Sequence, residues 1–418
     1  MWPAAVVFVF TYVLVAGRRL QLLPIGRPAG ALVGACAMVA LSLVHPAGLT
    51  PAEAFAAVEP NTIGLLLGMM LVAGAVADAG VLEALARAVA ARVRSPAALL
   101  WAVTLGAGVL SALLLNDSVC LLAAPLVDGI ARRAGLPRVP YLLALAMGSN
   151  AGSAMTLAGN PQNMLVAGLS GLGYRTYLWR AGPAGLVALV ATAATLHLLY
   201  RHKLVAAPPA ADGVAELDAR APARDQRWHR GASLVCLAGV SVAFLAGANL
   251  AWTALTGAAV VMLLRGREPG PLFGRVSWTV LVFFAGLFVV VAGLQKAGVP
   301  QAIVDAVRPH LPVAPTPGLL ALAGLLLLGC QLISNVPFIL LVEPLVHGLP
   351  DPSRAWCVVA VVSTLAGNLT LLGSVANIIV VETAHAEDEI GFRAYLRVGA
   401  PVTLVSTAAA LAWLLLVP

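Results

Sequence analysis

Long apolar runs alternate with short polar interruptions along almost the whole chain, and within the runs hydrophobic and polar positions show no alternation of period two. A membrane-spanning helix needs about 20 residues, whereas a transmembrane β-barrel needs short alternating segments, so the pattern predicts helices. Spans are expected near 2–16, 28–44, 61–77, 140–170 and 178–200, and again near 231–248, 250–264, 276–294, 354–384 and 396–417. The runs 97–130 and 317–348 each hold a polar tip in their middle and read as hairpins that enter and leave by one face. Val81 to Val93 places apolar residues at helical spacing opposite Glu83, Arg87 and Arg92, the pattern of a helix lying in the interface. Trp2 to Ala16 has no basic start and is followed by Arg18 and Arg19, which suits a first span rather than a cleaved leader.

The chain also repeats itself at an offset near 218 residues. Gly173 to Pro183 (GYRTYLWRAGP) returns as Gly391 to Pro401 (GFRAYLRVGAP), and NDSVCLLAAPLV from Asn116 returns as NVPFILLVEPLV from Asn335. TLAGNPQNML from Thr156 returns as TLLGSVANII from Thr370, and DAGV at Asp78 pairs with KAGV at Lys296. The expected organisation is therefore a first repeat over 1–200, a polar Pro- and Ala-rich cytoplasmic linker over 201–230 and a second repeat over 231–418. Five spans per repeat is an odd number, so the second copy is inverted relative to the first. The fold class that follows is an all-α polytopic membrane protein, each repeat holding about five transmembrane helices, one re-entrant hairpin and one discontinuous helix.

Composition and charge agree with that reading. Hydrophobic residues make up 61% and charged residues 10% of the 418 residues, and the mean hydropathy is +0.95, far from a soluble domain that is about a quarter charged. Of 25 Lys and Arg, all but Arg175, Arg180, Lys296, Arg308 and Arg354 fall on loops that this topology makes cytoplasmic. The formal charge of +7 is thus an orientation signal spread over loops, not a nucleic-acid patch. The basic linker invites an anionic lipid or a partner, but an orientation signal and tether explain it as well. Cys36, Cys120, Cys236, Cys330 and Cys357 sit singly in apolar runs and read as small buried residues rather than a disulfide or metal set.

The chemistry concentrates where helices are expected to fail. Within the membrane a broken helix is tolerated only where it lines a cavity or is buried in protein. Gly148 to Asn163 (GSNAGSAMTLAGNPQN) is such a break: Pro161 removes a donor and disfavours helix at Asn160, while Gly148, Gly152 and Gly159 permit other backbone conformations. Ala366 to Asn377 (AGNLTLLGSVAN) is its partner in the second repeat. The hairpin tips add Asn116, Asp117 and Ser118 on one side and Ser334, Asn335 and Pro337 on the other. Half-helix ends, unwound carbonyls and short polar side chains near the midplane suit a small anion or a cation such as sodium at the tips. The substrate- or ion-binding set is therefore Asn116, Asp117, Ser118, Asn150, Ser153, Thr156, Gly159, Asn160, Asn163, Ser334, Asn335, Asn368, Thr370, Ser374 and Asn377. Many of these also suit a structural role, re-pairing backbone freed by the break. Asp117 is the sharpest member, able to carry a coupling proton or to cap the following half-helix, and Glu343 is a second protonatable group or a residue facing water. His197, Glu382 and Asp128 read as interfacial.

The pairing of a hairpin-tip Asn motif with a later GNPQN-like motif, in two copies, is similar to the ion transporter superfamily: divalent anion–sodium symporters, citrate-transporter-like permeases, the arsenical pump membrane protein and bacterial anion permeases. Divalent-anion members typically carry Ser-Asn-Thr at both tips and a GTPPN-like run in the breaks. This chain has Leu115-Asn116-Asp117 and Ser334-Asn335-Val336 with GNPQN and GSVAN, keeping both Asn, and its Asn-Asp pair is similar to the arsenical pump. The resemblance implies a scaffold with a moving transport domain, often as a homodimer, in a bacterial inner membrane. It implies a secondary active permease moving a small inorganic or organic anion or its neutral acid (arsenite-, carboxylate- or sulfate-like) by alternating access, coupled to H+ or Na+, with no cofactor and no nucleic-acid partner. A sodium–proton antiporter is the alternative; an intramembrane enzyme or a channel is remote. No Arg or Lys lies in either break or tip, which favours a neutral or weakly charged substrate such as undissociated arsenite. GLSG at Gly168 to Gly171 fits an intramembrane serine protease pattern, but Ser170 and His197 are expected near opposite membrane faces.

Overall fold

The computed structural model describes residues 1–17, 26–93, 95–204, 224–266, 268–307 and 315–416. Every regular element among them is a helix. The first half runs α1 (Trp2–Gly17), α2 (Arg27–Leu41), α3 (Pro51–Ala57), α4 (Pro60–Asp78), α5 (Val81–Arg92), α6 (Pro96–Leu113), α7 (Asn116–Arg133), α8 (Arg138–Ser153), α9 (Pro161–Ser170), α10 (Tyr174–Arg180) and α11 (Gly182–Tyr200). The second runs α12 (Arg224–Leu245), α13 (Leu250–Arg265), α14 (Gly270–Phe273), α15 (Trp278–Lys296), α16 (Val299–Val307), α17 (Pro315–Ile333), α18 (Asn335–His347), α19 (Pro352–Ala366), α20 (Val375–Thr383) and α21 (Phe392–Leu416).

Local chemistry sets where these helices begin. Pro sits in the first turn of α2, α4, α6, α9 and α19, where its missing N–H costs nothing. Side-chain oxygens cap the same ends: Glu59 on α4, Ser95 on α6, Asn160 on α9 and Asp351 on α19. The expected hairpins are α6–α7 and α17–α18, each turning within a few residues. Their geometry is re-entrant. At the far ends of the first hairpin, Tyr141 Oη near the start of α8 donates to Pro96 O (3.2 Å), and Arg138 pairs with Asp128 of α7 (3.2 Å). Its tip instead reaches the gap between α8 and α9, where Asn116 N donates to Gly159 O (3.0 Å). The second hairpin repeats this: His347 at the end of α18 meets Trp356 near the start of α19 (ring centroids 5.7 Å), and Gln331 near the tip donates to Ala366 O (2.7 Å) at the end of α19.

The two halves pack reciprocally. Gly68 of α4 lies so close to α13 that a Cβ there would be 2.5 Å from the Ala254 carbonyl carbon, and Gly286 of α15 meets Ala31 of α2 in the same way (2.8 Å). Both helices also end in ion pairs with the opposite half. Asp78 closes α4 against Arg265 (2.9 Å) and Arg275, while Lys296 closes α15 against Glu53 (2.8 Å). Two units exchanging equivalent contacts is the signature of a two-fold relation, and an odd number of spans per unit makes it an inverted one.

Several expectations need correction. Gly148 and Gly152 are not in the break, because α8 continues through Ser153. Their role is close packing on α6: a Cβ on Gly148 would be 2.6 Å from Thr104 O, and one on Gly152 would be 2.1 Å from Gly108 Cα. The linker ends early, since α12 starts at Arg224 and continues as the span expected from 231, and residues 205–223 lie outside the described residues. The span expected at 178–200 holds within the apolar stretch Tyr174–Tyr200, which a turn at Ala181 divides into α10 and α11, whereas its counterpart α21 is continuous with Pro401 inside. Cys36 is exposed on α2, unlike the four buried cysteines. Among the described residues, seven helical stretches are long and apolar enough to cross a membrane by length and composition alone. Two of them, Pro96–Leu113 and Thr316–Ile333, are hairpin arms, and the broken and shorter helices fall below that length.

Candidate functional site

Two helices stop in the interior of the protein and restart. Between α8 and α9 the chain is non-helical over 154–160, and Asn160, fully extended at φ −154° and ψ 162°, offers its Oδ1 to Asn163 N (2.7 Å). Between α19 and α20 it forms a single 3-10 turn, Leu371–Gly373. Each break is braced by the Asn that follows it. Asn163 Nδ2 donates to the carbonyls of Thr156 (2.9 Å) and Ser153 (3.3 Å), and Asn377 Nδ2 donates to those of Thr370 (3.2 Å) and Gly367 (2.8 Å). These amides satisfy carbonyls that an unbroken helix would have paired internally.

The second break, the end of α8 and one tip then meet in a single chain of amides. Because Asn377 and Asn368 turn their Nδ2 groups to backbone carbonyls, the latter to Met147 O (3.1 Å), both present Oδ1 to Asn150. Asn150 Nδ2 donates to Asn368 Oδ1 (2.9 Å) and Asn377 Oδ1 (3.0 Å). Its own Oδ1 must then accept, from Asn116 Nδ2 (3.0 Å) and Ser374 Oγ (3.1 Å). The backbone carbonyls thereby fix the direction of every amide in the chain, and the oxygen left over is Asn116 Oδ1. It is buried with no partner, in a residue 2% exposed. Asn335, at the tip of the second hairpin and 6% exposed, also has a buried Oδ1 without a partner and lies against Gly367 and the second break.

A residue not anticipated from the sequence completes the symmetry. Thr364 of α19 stands to Asn160 and Asn163 as Asn150 stands to Ser374 and Asn377, with the partners 214 positions apart in all three pairs. Its Oγ1 accepts from Asn160 Nδ2 (3.1 Å) and faces Asn163 Oδ1 (3.2 Å) while also bonding Ala360 O (2.7 Å). Each break is therefore held by the other repeat's half-helix. Aligning the breaks rather than the tips would have found Thr364, but an aliphatic setting, VVSTLAG, hid it. Tyr177, Gln331 and Ser149 were missed as well. Tyr177 Oη receives Asn163 Nδ2 (3.2 Å) and donates to Ala154 O (2.8 Å), Gln331 Oε1 accepts from Thr370 (2.9 Å), and Ser149 Oγ donates to Asn116 O (3.3 Å).

Of the expected set, Asn116, Asn150, Ser153, Thr156, Gly159, Asn160, Asn163, Asn335, Asn368, Thr370, Ser374 and Asn377 gather here. Thr156 Oγ1 donates to Ala112 O of α6 (2.6 Å) and Ser153 Oγ accepts from Asn160 (2.8 Å), so these two act on the backbone and the network. Ser118 lies in the first turn of α7, two positions after Asn116, and is half-buried. Ser334 contributes no side-chain cap, although its backbone, at φ 79° and ψ 153°, makes the second turn. Asp117 opens α7 beside Asn116, and the charge acting on it is Arg27 at the start of α2. Glu343 is not part of this cluster. It lies eight residues beyond Asn335, about 12 Å along α18, and accepts from Gln295 of α15 (3.2 Å). Ser170 Oγ accepts from Leu172 N (3.1 Å), a loop-capping bond, and Asp128 is held by Arg132 (2.7 Å) and Arg138.

The fold as a whole has parallels among solved structures. The YdaH transporter of Alcanivorax borkumensis superposes with a TM-score of 0.64 at 17% identity, covering 99% of this chain and 97% of that one. The MtrF efflux pump of Neisseria gonorrhoeae gives 0.62 at 13% identity, covering 99% and 94%. In sequence, the rice silicon efflux transporter LSI3 is 31% identical over 97% of this chain and 95% of its own length. An uncharacterised transporter of Mycobacterium tuberculosis is 32% identical over 98% and 97%. The arsB transporter of Dictyostelium discoideum is 24% identical over 96% and 90%. The profile of the citrate transporter family matches residues 12–356, a stretch that takes in both tips and the first break, and the chain belongs to that family of multi-pass membrane transporters.

Proposed function

We propose that the protein is a secondary active permease for a small, neutral, hydroxylated acid of the arsenite or silicic acid type, working by alternating access. The observation that carries this reading is the pair of buried, unpartnered amide oxygens at the two tips, Asn116 Oδ1 and Asn335 Oδ1. An unpaired acceptor in a dry site costs about 1–3 kcal/mol, and a ligand bearing O–H groups satisfies it, whereas the oxygens of sulfate or a carboxylate are repelled. The absence of Lys and Arg from tips and breaks points the same way. The names of the rice and Dictyostelium relatives, one for silicon efflux and one arsB, support a metalloid acid. Asp117 is the coupling residue, exchanging a proton beside Asn116 as the site opens to either face. A transport domain made of the tips and breaks of the repeats 1–200 and 231–418 moves against a scaffold built from their other helices, the repeats being joined by the cytoplasmic linker, in a bacterial inner membrane and as a homodimer, as the family resemblance implies.

A second reading rests on the same oxygens. Two carbonyl-type acceptors flanked by a carboxylate also suit a sodium ion, which would make the protein a sodium–proton antiporter. Flux in proteoliposomes separates the readings: arsenite, silicic acid, citrate, sulfate and sodium are compared with and without a pH gradient. The proposal expects arsenite or silicic acid to move and a pH gradient to drive it. Preferential movement of citrate or sulfate sinks it, and gradient-driven sodium flux with no acid flux favours the antiporter.

A further inference from the structure

A cavity of about 520 Å3 opens on the extracytoplasmic side, lined by Arg175, Thr176, Trp179 and Arg180 of α10, Arg354 and Cys357 of α19 and Leu414 at the end of α21. Basic residues on this face oppose the orientation signal, and the chain has only five. Arg308 lies outside the described residues, and Lys296 is neutralised by Glu53 (2.8 Å). The remaining three converge on this one cavity. The acid beside them is Asp351, 3.6 Å from Arg354 Nε and already capping α19 through Arg354 N (2.9 Å). Positive charge is therefore in excess. The cavity is also distinct from the amide cluster: Arg354 precedes Asn368 by fourteen residues, about 20 Å of helix.

The walls indicate what fits. Three guanidinium groups around one space match the oxygens of a phosphate, which they bind through paired N–H donors. Trp179 is 75% uncovered by protein and Leu414 closes the floor near the end of a spanning helix, so an apolar surface continues from the charged cavity toward the bilayer. Aromatic and basic residues together at this depth are the lining expected for a phospholipid headgroup. The far side of the same short helix reaches the transport site, since Tyr177 of α10 holds Asn163 and Ala154 of the first break.

We propose that this cavity is an anion site for a phosphate group, supplied by the headgroup of an anionic phospholipid or by free phosphate, and that its occupancy steadies α10 and the break α10 braces. The site is independent of the substrate assigned above. The test measures binding of short-chain phosphatidylglycerol, short-chain phosphatidylcholine and inorganic phosphate to the purified full chain in detergent, for the wild type, Arg175→Gln and Arg354→Gln. Arg175 is exposed, so its replacement leaves folding intact and keeps the test decisive. The expected result is phosphatidylglycerol binding about tenfold or more tighter than phosphatidylcholine, weakened about tenfold in either variant. Comparable binding of inorganic phosphate with the same loss in the variants assigns the site to free phosphate. Equal binding of the two lipids with no phosphate binding, or affinities unchanged in both variants, overturns the proposal.

Discussion

The two halves of the amide cluster are built on the same plan and differ in three respects. In the first repeat, 154–163 is almost wholly buried, the tip carries an acid beside its Asn, and α8 is pressed onto α6 Gly against Gly. In the second, Leu369 to Leu372 and Ser374 are only partly covered, Val336 stands where Asp117 would be, and Ala366 stands where Gly152 would be. One half is a closed, charged, rigid cradle; the other is neutral and looser. Inverted repeats give a transporter two equivalent gates, but divergence lets one of them hold the coupling chemistry.

That contrast is broken most severely at Asp117. If the acid in the first tip drives transport, Asp117→Asn should abolish stimulation by a pH gradient, a loss of about tenfold or more, while ungated exchange of the substrate continues. The reciprocal change, Val336→Asp, should not restore it, because the amide chain through Asn150 runs to Asn116 of the first tip and not to Asn335 of the second. Proteoliposome flux with both variants decides the point; an unaltered gradient response in Asp117→Asn removes the coupling role.

Next in size is the hub. Asn150→Ala leaves the amides of Asn116, Asn368 and Asn377 without their shared partner in a buried setting, and unpaired buried groups cost about 1–3 kcal/mol each. Thr364→Ala removes a hydroxyl whose partner Asn163 keeps its bonds to Tyr177 and the Thr156 carbonyl. The expected order of thermal stability is therefore wild type, then Thr364→Ala, then Asn150→Ala. Equal losses would mean that the two repeats share the load evenly.

A similar asymmetry governs the packing. Gly152→Ala gives the first repeat the residue that the second already has, yet its methyl would meet Gly108 Cα at 2.1 Å, backbone that cannot swing aside. α8 must then move away from α6, with a cost on the order of 1–3 kcal/mol and weakened transport. Ser334→Gly should do the opposite in the second repeat, relieving a backbone region that only Gly occupies freely and raising the melting temperature by the equivalent of about 1 kcal/mol. Both are read by thermal unfolding of the detergent-solubilised protein.

These differences separate what is legible in the sequence from what is not. Hydrophobic run lengths and the internal repeat gave the helices, the hairpins and the pairing of GNPQN with GSVAN, because each follows from local composition or from direct comparison of two segments. The reciprocity of Asn150 and Thr364 was not legible, since an Asn and a Thr at equivalent positions share no letter and only their crossed partners make them equivalent. Gly148 and Gly152 were misread for a related reason: a glycine permits a break and a close helix contact equally well, and the sequence of one helix does not reveal the neighbour that decides. Tyr177 escaped because its function is to brace a break more than ten residues upstream.

The smallest effect concerns the ends of α4 and α15, where the repeats have exchanged charge. Asp78 meets two Arg of the other half, whereas Lys296 meets Glu53 of the other half. An acid bound by bases belongs on the cytoplasmic face and a base bound by an acid on the outer one, so the swap preserves both the contact and the orientation signal. Lys296, followed by Thr50, holds the Glu53 carboxyl down to about 2 from its ordinary 4.5. A depressed carboxylate contributes stability that is present above 4.5 and is lost as pH falls toward 2. The pair is exposed and screened, so the contribution is local. Hydrogen exchange of residues 51–57 should therefore stay protected from pH 7 to about 4.5 and loosen below it. In Lys296→Met protection should already be lower at pH 7 and should change less between pH 4.5 and 2, while the peptide around Asp78 is unchanged. If both peptides respond alike, the two ends are not independent locks and the scaffold opens as one unit.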